Sequence, residues 1–249
     1  MKFSTISCLK GLAATTALLA ATLSASAAQA ISLTTEQWSF FNSFVQTERQ
    51  AFTALDLQSA RPDQMMWSGA ADALEVYFIN EGAGYRNQLL FSANGGPLEM
   101  VFNDVSSPNS ILRNADGPLA LGEGRNLGGF SRGTNIQFFV NSNGYSRGEN
   151  ETNATRLLGP DPFAANTRNN GLQHIVAYDL EAFGSNWLLF GFEDIIGGGD
   201  LDYNDVVFVV RGLTANGATV PEPGAVLGFA VLGAVGLVSR RGKDQSEEA

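Results

Sequence analysis

The sequence predicts an all-β protein, a jelly-roll-like β-sandwich with one N-terminal helix. Three observations carry that expectation. From residue 73 onward, short β-prone runs alternate with Gly, Asn, Ser and Pro. At least seven such runs occur, enough for two packed sheets. Hydrophobic residues make up 44% of the 249 residues, which suffices for a packed core, and no internal repeat points to a solenoid or propeller.

The elements follow in order. Residues 1–30 have the three parts of a secretory signal: Lys2 and Lys10, an apolar run over 11–23, and the small-x-small Ala28-Gln29-Ala30. Cleavage there would make Ile31 the first residue and remove Cys8, the single cysteine, so disulfides and cysteine metal sites are excluded. Next comes an N-terminal helical segment, 31–62. Thr34 and Gln37 are spaced as a capping box, and Trp38, Phe41, Phe44, Val45, Phe52 and Leu55 keep a helical period. The expected helix covers 35–55 and presents its apolar stripe to a sheet, with Arg61-Pro62-Asp63 as the stop.

The sandwich domain is expected over 73–213. Its strands are read at 74–79, 88–91, 98–102, 136–140, 174–178, 187–192 and 206–210, and the Gly- and Asn-rich stretches 103–132 and 141–170 read as loops.

A third region, 220–243, begins with Val220-Pro221-Glu222-Pro223-Gly224, continues through an apolar stretch over 225–238 and ends in Ser239-Arg240-Arg241-Gly242-Lys243; an acidic tail, 244–249, follows. The apolar stretch can be helical, although at about 15 residues it is short against the roughly 20 of a membrane span, and the basic cluster would stay cytoplasmic. This three-part tail resembles the PEP-CTERM sorting signal of Gram-negative bacteria that make exopolysaccharide. The resemblance implies transient inner-membrane anchoring, cleavage by an exosortase, and delivery to the cell surface or biofilm matrix. A plain membrane anchor is the alternative.

Charge narrows the partners. The chain carries a net charge of -10, and residues 31–220 alone hold 21 acidic residues against 10 Arg. Such a surface repels phosphate backbones and attracts divalent cations, so nucleic acid is not an expected partner.

The strongest chemical feature lies between the last two long runs: Phe192-Glu193-Asp194-Ile195-Ile196-Gly197-Gly198-Gly199-Asp200-Leu201-Asp202-Tyr203-Asn204-Asp205. Three glycines let the chain fold back and aim several oxygens at one point. Carboxylates that close repel one another unless a cation sits among them. Hard oxygen donors without His or Cys fit Ca²⁺ better than zinc or copper. Glu193, Asp194, Asp200, Asp202, Asn204 and Asp205 are therefore the candidate ligands, with Glu81 as a further one brought in by its own glycine turn. Asp200-x-Asp202-x-Asn204 imitates the opening of an EF-hand, but Asp205 and Arg211 stand where that loop needs Gly and Glu. Two alternatives stay open: a solvated acidic turn, and a Glu81–Arg86 ion pair across the turn.

The stretch 192–208 resembles the hallmark of the domain-of-unknown-function family 4114 (DUF4114). Asn80-Glu81-Gly82-Ala83-Gly84-Tyr85-Arg86-Asn87, Gly133-Thr134 and Gln173-His174 agree with it in the expected order. The resemblance implies a secreted β-rich domain of surface and matrix proteins, with calcium suspected.

No reaction is specified. His174 with Asp179 or Asp205 could supply a base and its orienter, yet no Gly-x-Ser-x-Gly elbow accompanies them. A non-catalytic role is expected: a calcium-stabilised structural or adhesive protein of the exopolysaccharide matrix. The alternative is a calcium-dependent carbohydrate-binding module in which Trp67, Tyr85, Tyr145, Trp187 or Tyr203 stacks on sugar; a polysaccharide hydrolase comes behind both.

Overall fold

The computed structural model describes residues 29–45, 57–112, 117–180, 183–184 and 186–215. The expected signal peptide and PEP-CTERM segment lie outside the described residues, apart from Gln29 and Ala30. Among the described residues no helix is long and apolar enough to cross a membrane.

The architecture is an all-β sandwich. Its strands are β1 (Gln29–Ser32), β2 (Gln58–Ala60), β3 (Met65–Trp67), β4 (Glu75–Asn80), β5 (Asn87–Ala93), β6 (Glu99–Val105) and β7 (Glu123–Asn126). They continue with β8 (Ile136–Asn141), β9 (Leu157–Leu158), β10 (Ile175–Asp179), β11 (Trp187–Phe192), β12 (Val206–Arg211) and β13 (Leu213–Ala215). One sheet has seven strands in the order β1-β7-β4-β12-β11-β10-β2, and the facing sheet has four, β6-β5-β8-β9. A two-stranded ribbon pairs β13 with β3.

All seven strands expected from periodicity are present. The near-continuous apolar runs of β4, β10, β11 and β12 make sense because the larger sheet is buried on both faces, and in β5 and β8 Leu90 and Phe139 bury the alternate positions in a small cluster with Leu157. Val76, Phe78, Phe190, Phe208 and Val210 point into the inter-sheet core, where they meet Leu89, Phe91, Phe138 and Val140 of the smaller sheet. The alternate residues Tyr77, Ile79, Val207 and Val209 form a second core on the outer face. The aromatic stack of Phe190 on Phe208, with ring centroids 5.0 Å apart, lies on the adjacent strands β11 and β12 at directly opposed positions.

That outer face explains helix α1 (Thr35–Asn42). Thr34 and Gln37 form the expected capping box. Phe41 is fully buried against the sheet, and Trp38 donates its indole N–H to the Ile79 carbonyl at 2.9 Å. The helix is shorter than expected. It ends at Asn42, because Ser43 caps it and the Ser43 hydroxyl donates back to the Phe40 carbonyl at 2.6 Å. Phe44 and Val45 still pack against the outer core, but from a turn. Before the expected stop, Gln58–Ala60 is already strand β2, paired with β10.

The stretches read as loops also hide short strands. β7 carries only Glu-Gly-Arg-Asn, yet it pairs with both β1 and β4. Gly124 is needed there, since a Cβ would lie 2.4 Å from the Tyr77 ring. β9 is two leucines added to the edge of β8.

Candidate metal centre

The acidic loop spans 193–205 and joins β11 to β12 at one end of the sandwich. Its stems are fixed by backbone pairing. Glu193 N–H donates to the His174 carbonyl at 2.9 Å, and Asp205 N–H donates to the Phe192 carbonyl at 3.1 Å. Between them the chain takes positive φ at Gly197, Gly198 and Gly199, then at Leu201 and Tyr203. Left-handed backbone at two bulky residues costs on the order of 1 kcal/mol each and persists only where the surroundings enforce it. Here the enforcement is visible: the Glu193 carboxylate accepts from Ile195 N–H at 3.2 Å and from Leu201 N–H at 2.8 Å. Gly199 lets that carboxylate in, because a Cβ at this position would sit 2.1 Å from Glu193 Oε1.

The fold brings five of the expected ligands together as two overlapping triads. Glu193, Asp200 and Asp202 form one; Glu193, Asp194 and Asp205 form the other; within each, one oxygen per residue lies within 4.8 Å of the others. Glu193 belongs to both. Asp200 is exposed, whereas Glu193, Asp194, Asp202 and Asp205 are buried. At that separation two carboxylates repel by about 3 kcal/mol at an effective dielectric constant of about 20. A solvated turn would not bury four of its five carboxylates, so that alternative does not describe this loop.

The electrostatics are correspondingly strained. Burial pushes the Glu193 carboxyl up to about 7, against the pull of the Ile195 and Leu201 amides, and Asp194 and Asp200 add repulsion. Burial likewise raises Asp194 to about 6, partly offset by the Asn87 amide. Asp205 is raised further still, by burial first and then by Asp194 and Glu193. At Glu193 and Asp205 the neighbouring charges are negative, so a further negative charge is disfavoured; at Asp194 the Arg156 guanidinium partly offsets that repulsion.

Asn204, within the loop, and Glu81, on the neighbouring turn, are both fully buried. Gly82 N–H donates to the Asn204 carbonyl at 2.9 Å, which seats the 81–83 turn against the loop's end, and Asn204 N–H donates to Asp202 Oδ1 at 3.2 Å. Glu81 belongs to neither triad. Arg86 is taken by Asp104 in a two-pronged ion pair, so the expected alternative of a Glu81–Arg86 bridge gives way to a longer-range partner.

His174 is a core residue. It is fully buried, and its Nδ1 lies 3.1 Å from the Glu193 carbonyl, so Nδ1 carries the proton and donates. Burial lowers its basicity and keeps the ring neutral. Asp179 stands at the other end of β10, Nδ1 is committed to a carbonyl, and the buried Nε2 makes no hydrogen bond to Asp205 or to any other described residue, so no carboxylate–His pair of the expected kind is assembled. Trp67, Trp187 and Tyr203 are buried as packing, and Tyr203 donates its hydroxyl to the Gln173 carbonyl at 3.3 Å. Tyr145 stays 38% exposed.

One supporting residue escapes sequence reasoning. Asn87, at the start of β5 in the opposite sheet, donates its amide to Asp194 Oδ2 at 2.6 Å and accepts from Asn143 N–H at 2.8 Å. Its signal was a fully buried polar residue opening an apolar strand, which a sequence alone does not reveal. Around the loop, Leu172 and Leu201 both lie against Gly198, Phe163 lies over Gly171, and Ile195 is exposed; these four are among the six large hydrophobics left exposed among the described residues.

Residues 130–213 match the family model of a domain of unknown function, DUF4114. That match takes in β8 through β12, the whole acidic loop and the first residue of β13; the upstream turn at 80–87 lies outside it. No curated protein and no solved structure matches the chain.

Proposed function

We propose that this protein is an exported, calcium-stabilised β-sandwich with a structural or adhesive role at the bacterial cell surface or in its exopolysaccharide matrix. The observation that carries the reading is Glu193, one buried carboxylate shared by two acidic triads. Buried charge of this density needs a cation, and an all-oxygen donor set with Asn204 beside it suits Ca²⁺. Glu193, Asp194 and Asp205 would hold the inner ion, and Asp200 and Asp202 would close the outer side with Glu193. Since the mature chain would lack cysteine, bound calcium would supply the stabilisation that disulfides give other exported domains.

The signal-like N-terminus and the PEP-CTERM-like tail support export, with an exosortase as the processing partner and surface glycan as the setting. The exposed apolar side chains beside the loop support adhesion, since such patches mark contact surfaces. A hydrolase is less well supported: glycoside cleavage uses two carboxyl groups about 5 to 9.5 Å apart across a cleft, and these are packed closer and buried.

Thermal melting with calcium and with chelator tests the reading. Calcium held tenfold above its dissociation constant adds about 1.4 kcal/mol, a shift of roughly 3–6 °C for a domain of this size. An unchanged midpoint removes calcium from the account.

A further inference from the structure

A second recess lies away from the acidic loop, between the edge of the smaller sheet and β7. It has a volume of about 340 Å³ and is lined by Phe102, Asn103 and Asp104 of β6, by Glu123 and Arg125 of β7, and by Tyr145, with Pro118 and Leu119 at its side. Its charges are already balanced. Arg125 pairs with Glu123 at 2.8 Å, and Arg86 holds Asp104. An ionic ligand would find no spare charge there, whereas a neutral polar one would meet planar donors and acceptors along one wall.

Tyr145 supplies the apolar component. The Arg86 guanidinium lies 4.1 Å from the centre of its ring, which braces the ring in one orientation. The loop below is held too: Tyr145 N–H donates to the Arg86 carbonyl at 3.2 Å, and Arg86 N–H to Asn143 Oδ1 at 3.3 Å. A fixed, part-exposed aromatic face beside a carboxamide, a carboxylate and a guanidinium matches the two surfaces of a pyranose, its C–H face and its row of equatorial hydroxyls. Asn103 is exposed and accepts from Gln88 Nε2 at 2.8 Å through its oxygen, which directs its NH₂ group away from that bond.

We infer that this recess is a binding site for neutral saccharide chains, with Tyr145 as the stacking platform and Asn103 and Arg125 as hydroxyl partners. None of the acidic-loop carboxylates lines it, so the inference does not rest on the calcium reading, and the two fail separately.

The test is titration calorimetry of the full-length protein against linear neutral hexaoses of glucose, mannose and galactose, with a uronic-acid oligomer and an extended peptide as comparisons. At least one neutral hexaose is expected to bind, with affinity kept in Tyr145→Phe and reduced about tenfold or more in Tyr145→Ala. Asn103→Ala, on a different element, is expected to weaken the same ligand while the protein stays folded, with only the drop of a few degrees in melting temperature that follows from losing the Gln88 hydrogen bond. Absence of binding to every neutral hexaose overturns the inference. So does binding confined to the uronic oligomer or the peptide, or binding that neither Tyr145→Ala nor Asn103→Ala weakens.

Discussion

Replacing Gly199 by Ala probes the acidic loop at its tightest point. The substitution has two separable costs. Ala at φ 41° pays for left-handed backbone, about 1 kcal/mol. Its Cβ would also lie 2.1 Å from Glu193 Oε1 and must expel that carboxylate. Expulsion breaks the hydrogen bonds from Ile195 and Leu201 N–H, and bonds to a charged acceptor are worth about 1.5–3 kcal/mol each. Because the displaced groups partly recover with water, a total loss of roughly 3–4 kcal/mol is expected. Gly148→Ala is the control: φ is 67° and nothing lies within 4 Å of the new Cβ, so only the backbone cost of about 1 kcal/mol remains. Urea denaturation in calcium buffer measures both variants. Equal losses in the two would refute the claim that Gly199 exists to admit the Glu193 carboxylate.

Three further outcomes follow from the same site. Asp205→Asn removes a charge that burial and two neighbouring carboxyls disfavour, while its amide oxygen can still accept from Asp194 N–H; urea melts in chelator should show it about 1–2 kcal/mol more stable than the parent, and melts in calcium should show that advantage gone. The carboxyl pKa values of Glu193 and Asp194 are raised on folding, so the calcium-free protein holds those protons more tightly than the unfolded chain. Its stability is therefore full below about pH 4 with respect to these groups and is lost as pH rises through about 6 and 7, a fall in melting temperature on the order of 10 °C between pH 5 and pH 8 that saturating calcium abolishes. Asn87→Ala deletes the amide that donates to Asp194 and the oxygen that accepts from Asn143 N–H, and should cost about 2–3 kcal/mol by urea denaturation and weaken calcium binding as well.

The sequence was most informative where one physical cause dominates locally. Phe190 and Phe208 announce their strands because both faces of the central sheet are buried, and Thr34 with Gln37 announces the start of α1 through a contact three residues apart. The acidic loop was legible for a similar reason, since its five carboxylates and three glycines are contiguous. What stayed hidden depends on distant partners. β7 reads as a polar turn and is a strand only because β1 and β4 flank it. The helix stops at Asn42 although its apolar period runs on, because the Ser43 cap closes it and the chain returns to pair as β2. Arg86 finds Asp104 rather than the nearby Glu81, and Asn87 reaches Asp194 across the sandwich; neither pairing has a sequence spacing to betray it.

The central claim is that a divalent cation holds the Glu193 cluster together, and metal content tests it most directly. Protein equilibrated with calcium and then freed of unbound ion by gel filtration should carry at least one calcium per chain by elemental analysis, and Glu193→Gln should lose it. Protein that emerges without calcium, or a Glu193→Gln variant that retains the full amount, would contradict the account.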